Sequence, residues 1–259
     1  MADTASPPYT AFRERFAARE PLLGTFIKTP TSHATEILGD VGFDFIVVDQ
    51  EHAPFDRGTI DTVLLGARAA NTAGIVRVPD AGAAGILSVL DCGAIGVLVP
   101  HVASPEKARD VAAAARYRGG RRGFSNSPRA GGYGRLGVWD HVEKADAETT
   151  VIAMIEDPEA LDVIDAIVAV DGLDGVFIGR GDLTVALGAS GSNAPEVRGA
   201  TERITAAALE AGKAVCAMTP GGDDARWLKG LGVTAMIVAS DQAFMRQAAS
   251  QTLKAFREL

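Results

Sequence analysis

At 259 residues, 47% hydrophobic and 22% charged, the chain has an ordinary globular balance and is long enough to bury a core without disulfide or metal staples. Its 25 basic and 33 acidic residues give a formal charge of −8. That argues against a general nucleic-acid binder but leaves room for small anions at local arginine clusters.

The chain begins with Ser6-Pro7-Pro8 as a loose arm, followed by a short helix over about residues 9–19. The first twenty residues lack a basic stretch followed by an apolar core, so no secretory signal is expected and a cytoplasmic location is. No stretch approaches the roughly 18 uninterrupted apolar residues of a membrane span. From Leu22 onward one unit recurs: a short Val- and Ile-rich run ending in polar residues, then an Ala-rich amphipathic segment. The runs are LLGTFI, FDFIVV, GIVRV, IGVLV, VIAMI, GVFI, AVCAM and AMIVA. Each has the length of a buried parallel strand.

The intervening segments read as helices. Thr31 is a candidate cap for the first, and residues 56–71 carry Ile60, Val63, Leu64 and Ala67 on one face. Ser104-Pro105-Glu106 reads as N-cap, N1 proline and acidic first turn. Asp157-Pro158-Glu159 repeats that arrangement before residues 160–170. Residues 195–211, 223–231 and 240–256 complete the set. The two cysteines, Cys92 and Cys216, lie in apolar runs and read as buried reduced thiols.

Eight strands alternating with helices predict a single α/β domain over residues 1–259, a (β/α)8 TIM barrel. No G-x-G-x-x-G follows the first strands, which weakens an open dinucleotide-binding sheet. Strand ends recur at one βα unit: His52 to Arg77 spans 25 residues, Arg77 to His101 24, and Glu156 to Asp182 26. His101 to Glu156 spans 55, so an insertion sits there. Residues 116–140 are rich in glycine and arginine, with Arg121, Arg122, Arg129 and Arg135 standing out. They suggest a lid, or a segment packed across a subunit boundary near an anionic ligand.

In a parallel barrel the strand C-termini share one mouth. The residues there are Asp49, Glu51, His52, Arg77, His101, Glu156, Asp157, Asp182 and Thr219. Glu156 and Asp182 follow adjacent strands, where two carboxylates repel unless protonated or bridged by a cation. They could hold Mg2+, Mn2+ or Co2+, form an acid–base pair, or cap helices. His52, beside Asp49 and Glu51, is placed for proton transfer, with a carboxylate fixing its tautomer. Arg77 interrupts an apolar strand and must pair, either with a bound carboxylate or internally with Asp49 or Glu51. The glycines of Gly179-Arg180-Gly181-Asp182 would let backbone amides approach a ligand. No lysine sits at an obvious strand end from the second run to the seventh, which disfavours a Schiff-base enzyme; Lys28, after the first, is the one candidate.

At these residues the chain resembles the metal-dependent class II pyruvate aldolases of the HpcH/HpaI family. The matching stretches are Gly42-Phe43-Asp44-Phe45 leading to Asp49-Gln50-Glu51-His52-Ala53-Pro54, Val76-Arg77-Val78-Pro79, Leu90-Asp91-Cys92-Gly93-Ala94, Gly120-Arg121-Arg122-Gly123, Ile155-Glu156, and Val170-Asp171-Gly172-Leu173-Asp174 leading to Phe177-Ile178-Gly179-Arg180-Gly181-Asp182-Leu183. The resemblance implies a barrel whose last helix is exchanged between protomers, in a hexamer built from dimers. It implies a divalent metal on Glu156 and Asp182, His52 as base supported by Asp49, and Arg77 on the pyruvate or enolate oxygen. Amides of Gly181 and Asp182 would receive the carboxylate, with Asp91 approaching from a neighbouring subunit; Thr219 and Arg180 are further substrate contacts. The implied reaction is reversible cleavage of 4-hydroxy-2-oxo acids to pyruvate, or a related 2-oxo acid, and an aldehyde. Two positions depart from the family pattern: Met154 where a Gln is frequent, and Arg180 where a Pro is usual. The alternatives are a relative of citrate lyase β or malyl-CoA lyase, for which no CoA-holding segment is visible, and a non-catalytic ligand-binding barrel.

Overall fold

The computed structural model describes residues 8–259. Ser6 and Pro7 of the expected arm lie outside them. A 3-10 turn at Tyr9–Ala11 leads into α1 (Phe12–Ala17), which together form the first predicted helix. The strands are β1 (Leu22–Ile27), β2 (Phe45–Asp49), β3 (Ala73–Arg77), β4 (Gly96–Val99), β5 (Thr150–Ile155), β6 (Gly175–Ile178), β7 (Ala214–Met218) and β8 (Ala235–Ser240). They pair in parallel, in sequence order, and close on themselves, so the expected eight-stranded barrel is what forms.

Around it lie α2 (Ser32–Val41), α3 (Arg57–Ala69), α4 (Ala83–Asp91), α5 (Pro105–Ala115) and α6 (Val138–Glu148). The second half carries α7 (Ile164–Val168), α8 (Arg180–Ala186), α9 (Pro195–Glu210), α10 (Gly222–Leu231) and α11 (Asp241–Arg257). Among the described residues no helix is long and apolar enough to cross a membrane. Both cysteines are buried and free, and burial alone pushes the Cys216 thiol far up.

Strand side chains alternate between two apolar shells. Phe45, Val47, Ile75, Leu98, Ile152, Met154, Phe177 and Cys216 fill the barrel interior. Ile46, Val48, Val76, Val97, Ala153 and Ile178 face outward onto the helices. Continuing the inward phase beyond these fillers brings Asp49, Arg77, Glu156 and Gly179 to the C-terminal rim. The opposite end is closed by α1: Phe12 and Phe16 stack with ring centroids 5.7 Å apart, and Phe12 meets Phe45 at 5.2 Å.

Local signals decide the helix starts. Thr31 accepts the His33 amide, Asp56 and Thr59 form a reciprocal capping box, and Ser104 accepts the Lys107 amide. Asp157 takes the same N-cap position, with Pro158 at the helix start and Glu159 in the first turn, but its side chain makes no cap hydrogen bond. Its carboxylate meets the His101 ring at 3.0 Å, and the segment after it opens as a 3-10 helix, Pro158–Val163, before α7. The insertion also differs from expectation. Residues 116–137 join the end of α5 to α6 at the start of β5, so they lie at the strand-start face, opposite their own barrel's mouth. Helix α6 begins inside the span expected to be loop. Arg116 anchors the segment on the Thr149 carbonyl at 2.6 Å and on Asp174 at 2.6 Å. A lid over this chain's own mouth is therefore excluded by topology.

Candidate active site

Asp49 and Arg77 are register partners at the ends of β2 and β3. Arg77 donates from Nε and Nη2 to Asp49 Oδ1, at 2.9 and 2.8 Å. Its Nη1 lies 3.2 Å from Glu51 Oε2, and its guanidinium stands 5.0 Å over the Phe26 ring. The internal pairing considered from sequence is thus what forms. Asp49 is fully buried and also meets the Lys28 ammonium, 2.7 Å from Oδ2. Burial opposes its ionisation, but Lys28, Arg77 and the His52 amide hold its carboxyl below the usual range.

The His52 backbone N–H donates to Asp49 Oδ1 at 3.1 Å. Its ring is 59% exposed, with Nε2 3.7 Å from Glu51 Oε2. That is beyond hydrogen-bond reach, so neither carboxylate fixes the ring tautomer. Asp49 supports the turn beneath His52 and not its imidazole, because the three-residue spacing brings the carboxylate under the amide.

Across the mouth, Glu156 is 2% exposed and its Oε1 accepts the His101 amide at 2.9 Å. Gly179 makes room for it: a Cβ there would fall 2.6 Å from Glu156 Oε2 and 3.0 Å from Met154 Cε. Burial pushes the Glu156 carboxyl up to about 7, opposed by the His101 amide and ring and reinforced by the charges of Asp182 and Glu51. His101 adopts a left-handed φ of 54°, a conformation costly for a non-glycine residue and most frequent at functional sites. Its ring is partly buried, yet the Asp157 and Glu156 carboxylates hold the imidazole above its ordinary value.

Asp182 does not close β6. It sits on the exposed side of the first turn of α8, a helix that starts at Arg180 with no side-chain cap. Among the described residues no group of three or more His, Cys, Asp or Glu side chains forms a cation cage. Two carboxylates remain, one of them lifted by its burial and further by the charge of the other. Such a pair fits a hard divalent cation that keeps open positions for water or ligand oxygens.

Two expected substrate contacts, Arg180 and Thr219, are placed differently, while Asp91 was expected at a neighbour's mouth and not its own. Arg180 is 6% exposed. It forks onto Asp224 at 2.8 and 2.7 Å and donates to the Met218 carbonyl at 3.0 Å. It is a buried clamp and not a free cation at the rim. Thr219, 1% exposed, donates to Asp224 Oδ2 at 2.7 Å and accepts the Gly221 amide. Asp91 ends α4 at the strand-start face, 3.6 Å from Arg122, and so lies away from its own mouth. The Gly181 and Asp182 amides belong to the first turn of α8, where N–H groups lack helical acceptors.

The sequence placed His101 and Asp157 at the mouth, with Asp157 as a helix cap, but gave neither a part in the site, and gave Asp224 none. The spacing signalled His101 but not its partners, since a left-handed turn cannot be read from a histidine. Asp224 carried no signal at all, being an ordinary first-turn acid of α10.

The HpcH/HpaI aldolase/citrate lyase family model matches residues 22–248. A 5-keto-4-deoxy-D-glucarate aldolase of Enterobacter sp. is 35% identical over 95% of this chain and 96% of its own length. An HpcH/HpaI aldolase/citrate lyase family protein from Burkholderia cenocepacia superposes with a TM-score of 0.90 at 28% identity, covering 96% of this chain and 99% of that one. The citrate synthase SbnG superposes at 0.87 with 29% identity, covering 96% and 98%. A barrel with an acidic, arginine-braced mouth, matched along nearly its whole length, belongs to the HpcH/HpaI aldolase/citrate lyase family of carbon–carbon lyases.

Proposed function

We propose that the chain is a divalent-metal-dependent aldolase that reversibly cleaves 4-hydroxy-2-oxo acids to pyruvate, or a related 2-oxo acid, and an aldehyde. The observation that carries this reading is Glu156: a carboxylate buried at the mouth, lifted to about 7, with Asp182 as its acidic neighbour. Glu156 and Asp182 would hold Mg2+, Mn2+ or Co2+. The bound cation supplies Lewis-acid stabilisation of charge on the 2-oxo group.

The chain's own residues divide the remaining work. In the cleavage direction His52, directly or through a water, takes the proton from the 4-hydroxyl as the C3–C4 bond breaks. The bond's electron pair is left on the 2-oxo acid fragment, which then takes a proton at C3. Arg77, braced by Asp49 and Glu51, faces the 2-oxo acid's oxygens, and the Gly181 and Asp182 amides receive its carboxylate. Lys28 is ion-paired to Asp49, and this chemistry needs no Schiff base from it. Relatives named for a keto-deoxy-glucarate favour a substrate carrying a second carboxylate. The likeness to a citrate synthase sets a citrate-forming condensation beside this as the second reading. The expected assembly is a hexamer with the last helix exchanged, in the cytoplasm, with Asp91 supplied by a neighbouring subunit.

The test is pyruvate release from 5-keto-4-deoxy-D-glucarate before and after chelation. Activity should vanish on chelation and return with Mg2+, Mn2+ or Co2+, while Glu156→Gln should stay inactive throughout. Full turnover in metal-free protein overturns the metal-dependent reading. Citrate formation without any aldol cleavage selects the second.

A further inference from the structure

We propose that the strand-start face of the barrel carries a second anion site, built for a small tetrahedral oxyanion: inorganic phosphate or the terminal phosphate of a phosphorylated metabolite. A recess of about 120 Å3 opens there between α3, α4, α6 and the 116–137 segment. That is several times the roughly 30 Å3 share of one water, which suits a phosphate with a little water and not a nucleoside. It lies a strand's length from the mouth, roughly 15 Å away.

Five cations line it: Arg68, Arg122, Arg129, Arg135 and Lys144, with Glu148 as the one acid in its wall. Lys144 pairs with Glu148, and Arg129 with Asp61 at 2.6 Å. Arg122 is 7% exposed, yet its Nε and Nη2 have no hydrogen-bond partner. The nearest carboxylate oxygen, on Asp91, is 3.6 Å from Nη2, too long for a hydrogen bond. The Arg68 and Arg135 side chains, both exposed to solvent, make no hydrogen bond or ion pair among the described residues. Five positive groups therefore line a concave wall that holds one carboxylate, with Asp61 and Asp91 meeting two of them from outside it, and the excess falls on arginines.

Helices α3, α4 and α6 all end at this face, and cations at helix C-termini are stabilising on their own. Arg129 acts in that way, donating to the Cys92 carbonyl at 3.0 Å. Arg68 and Arg135 reach no carbonyl, so helix ends do not account for them. Guanidinium groups that line one recess without carboxylate partners repel one another until an oxyanion bridges them, and their planar forks match phosphate oxygens.

The experiment titrates metal-free full-length protein with sodium phosphate by calorimetry, with ionic strength held constant by chloride. Wild type should bind one phosphate per chain at millimolar or lower concentration, and phosphate should raise its Tm. The Arg68→Ala/Arg135→Ala double variant should fold normally, bind about tenfold more weakly or worse, and lose the Tm response. The mouth variant Arg77→Ala should bind as wild type does. A phosphate monoester run in parallel distinguishes the sources: tighter binding of glycerol phosphate points to a phosphorylated metabolite, and tighter binding of inorganic phosphate to the free ion. Equal phosphate affinity in wild type and double variant, loss of binding in Arg77→Ala, or no saturable binding at millimolar phosphate overturns the proposal.

Discussion

Asp49 organises one half of the mouth from inside the barrel. A single buried carboxylate orients Arg77, meets Lys28 and holds the turn that presents His52. The two functional side chains should therefore fail differently. His52→Ala touches only an exposed ring, so kcat should fall by about 10²–10⁴, with thermal stability and pyruvate binding largely kept. Wild-type turnover in that variant would make His52 a surface residue. Arg77→Lys keeps a charge but loses the fork that binds Asp49 and Glu51 together, so lysine should restore little of the kcat lost in Arg77→Ala. Proton–deuterium exchange into the methyl group of pyruvate reads the enolisation step without the aldehyde; exchange at the wild-type rate in Arg77→Ala would show that this guanidinium does not act on the enolate.

At the level of elements, Arg180 joins the first turn of α8 to α10 through Asp224, with Thr219 completing the junction. Removing the acid leaves a buried guanidinium unpaired, so Asp224→Ala should cost about 3–5 kcal/mol in urea unfolding. The Arg180→Ala/Asp224→Ala double variant should recover part of this; if it proves no more stable than the single, the pair is uncoupled. Burial alone would raise the Asp224 carboxyl, but Arg180 and Thr219 hold it below its ordinary value of 3.8. Its contribution is therefore present above that value and lost as pH falls through the lower, folded one. Wild type should lose stability as pH falls below that ordinary value, and Asp224→Ala should lose less over the same range. The clamp also marks where sequence reading ran out. The eight strands were legible because each is a short apolar run with one phase inward and one outward. The α2 and α5 starts were legible because Thr31 and Ser104 cap locally. Helix α8 was not, since it begins without a side-chain cap and its first residue is held by an aspartate 44 positions away. The role of Arg180 followed the same logic: proximity to the mouth was readable, but burial against α10 was not. Asp157 shows the converse: it holds the expected N-cap position, but its carboxylate is taken by His101 from another loop.

At the scale of the whole molecule, the barrel leaves one element without a home. Helix α11 buries only Asp241, whose carboxylate accepts the Lys28 and Thr29 amides at 2.8 and 3.0 Å and so ties the helix start to the barrel. Beyond that tie, Met245 is 62% exposed, Leu253 52% and Phe256 71%. Their spacing of eight and three residues puts them on one stripe of the helix. An apolar stripe on an amphipathic helix standing off its own barrel needs a partner surface, and exposed Ile37 and Val41 on α2 show that the barrel too presents uncovered apolar groups. Exchange of this helix between protomers would supply that surface. Leu253→Glu/Phe256→Glu alters side chains that contribute little to a single chain's core, so the unfolding of the barrel itself should change little. Sedimentation should instead show the assembly reduced to smaller species. Aldol cleavage should fall with it, because the mouth would lose the aspartate expected from next door, whereas metal binding at Glu156 and Asp182 should persist. Wild-type sedimentation in the variant would show that α11 does not hold protomers together, and full activity in a dissociated monomer would show that each mouth is complete on its own.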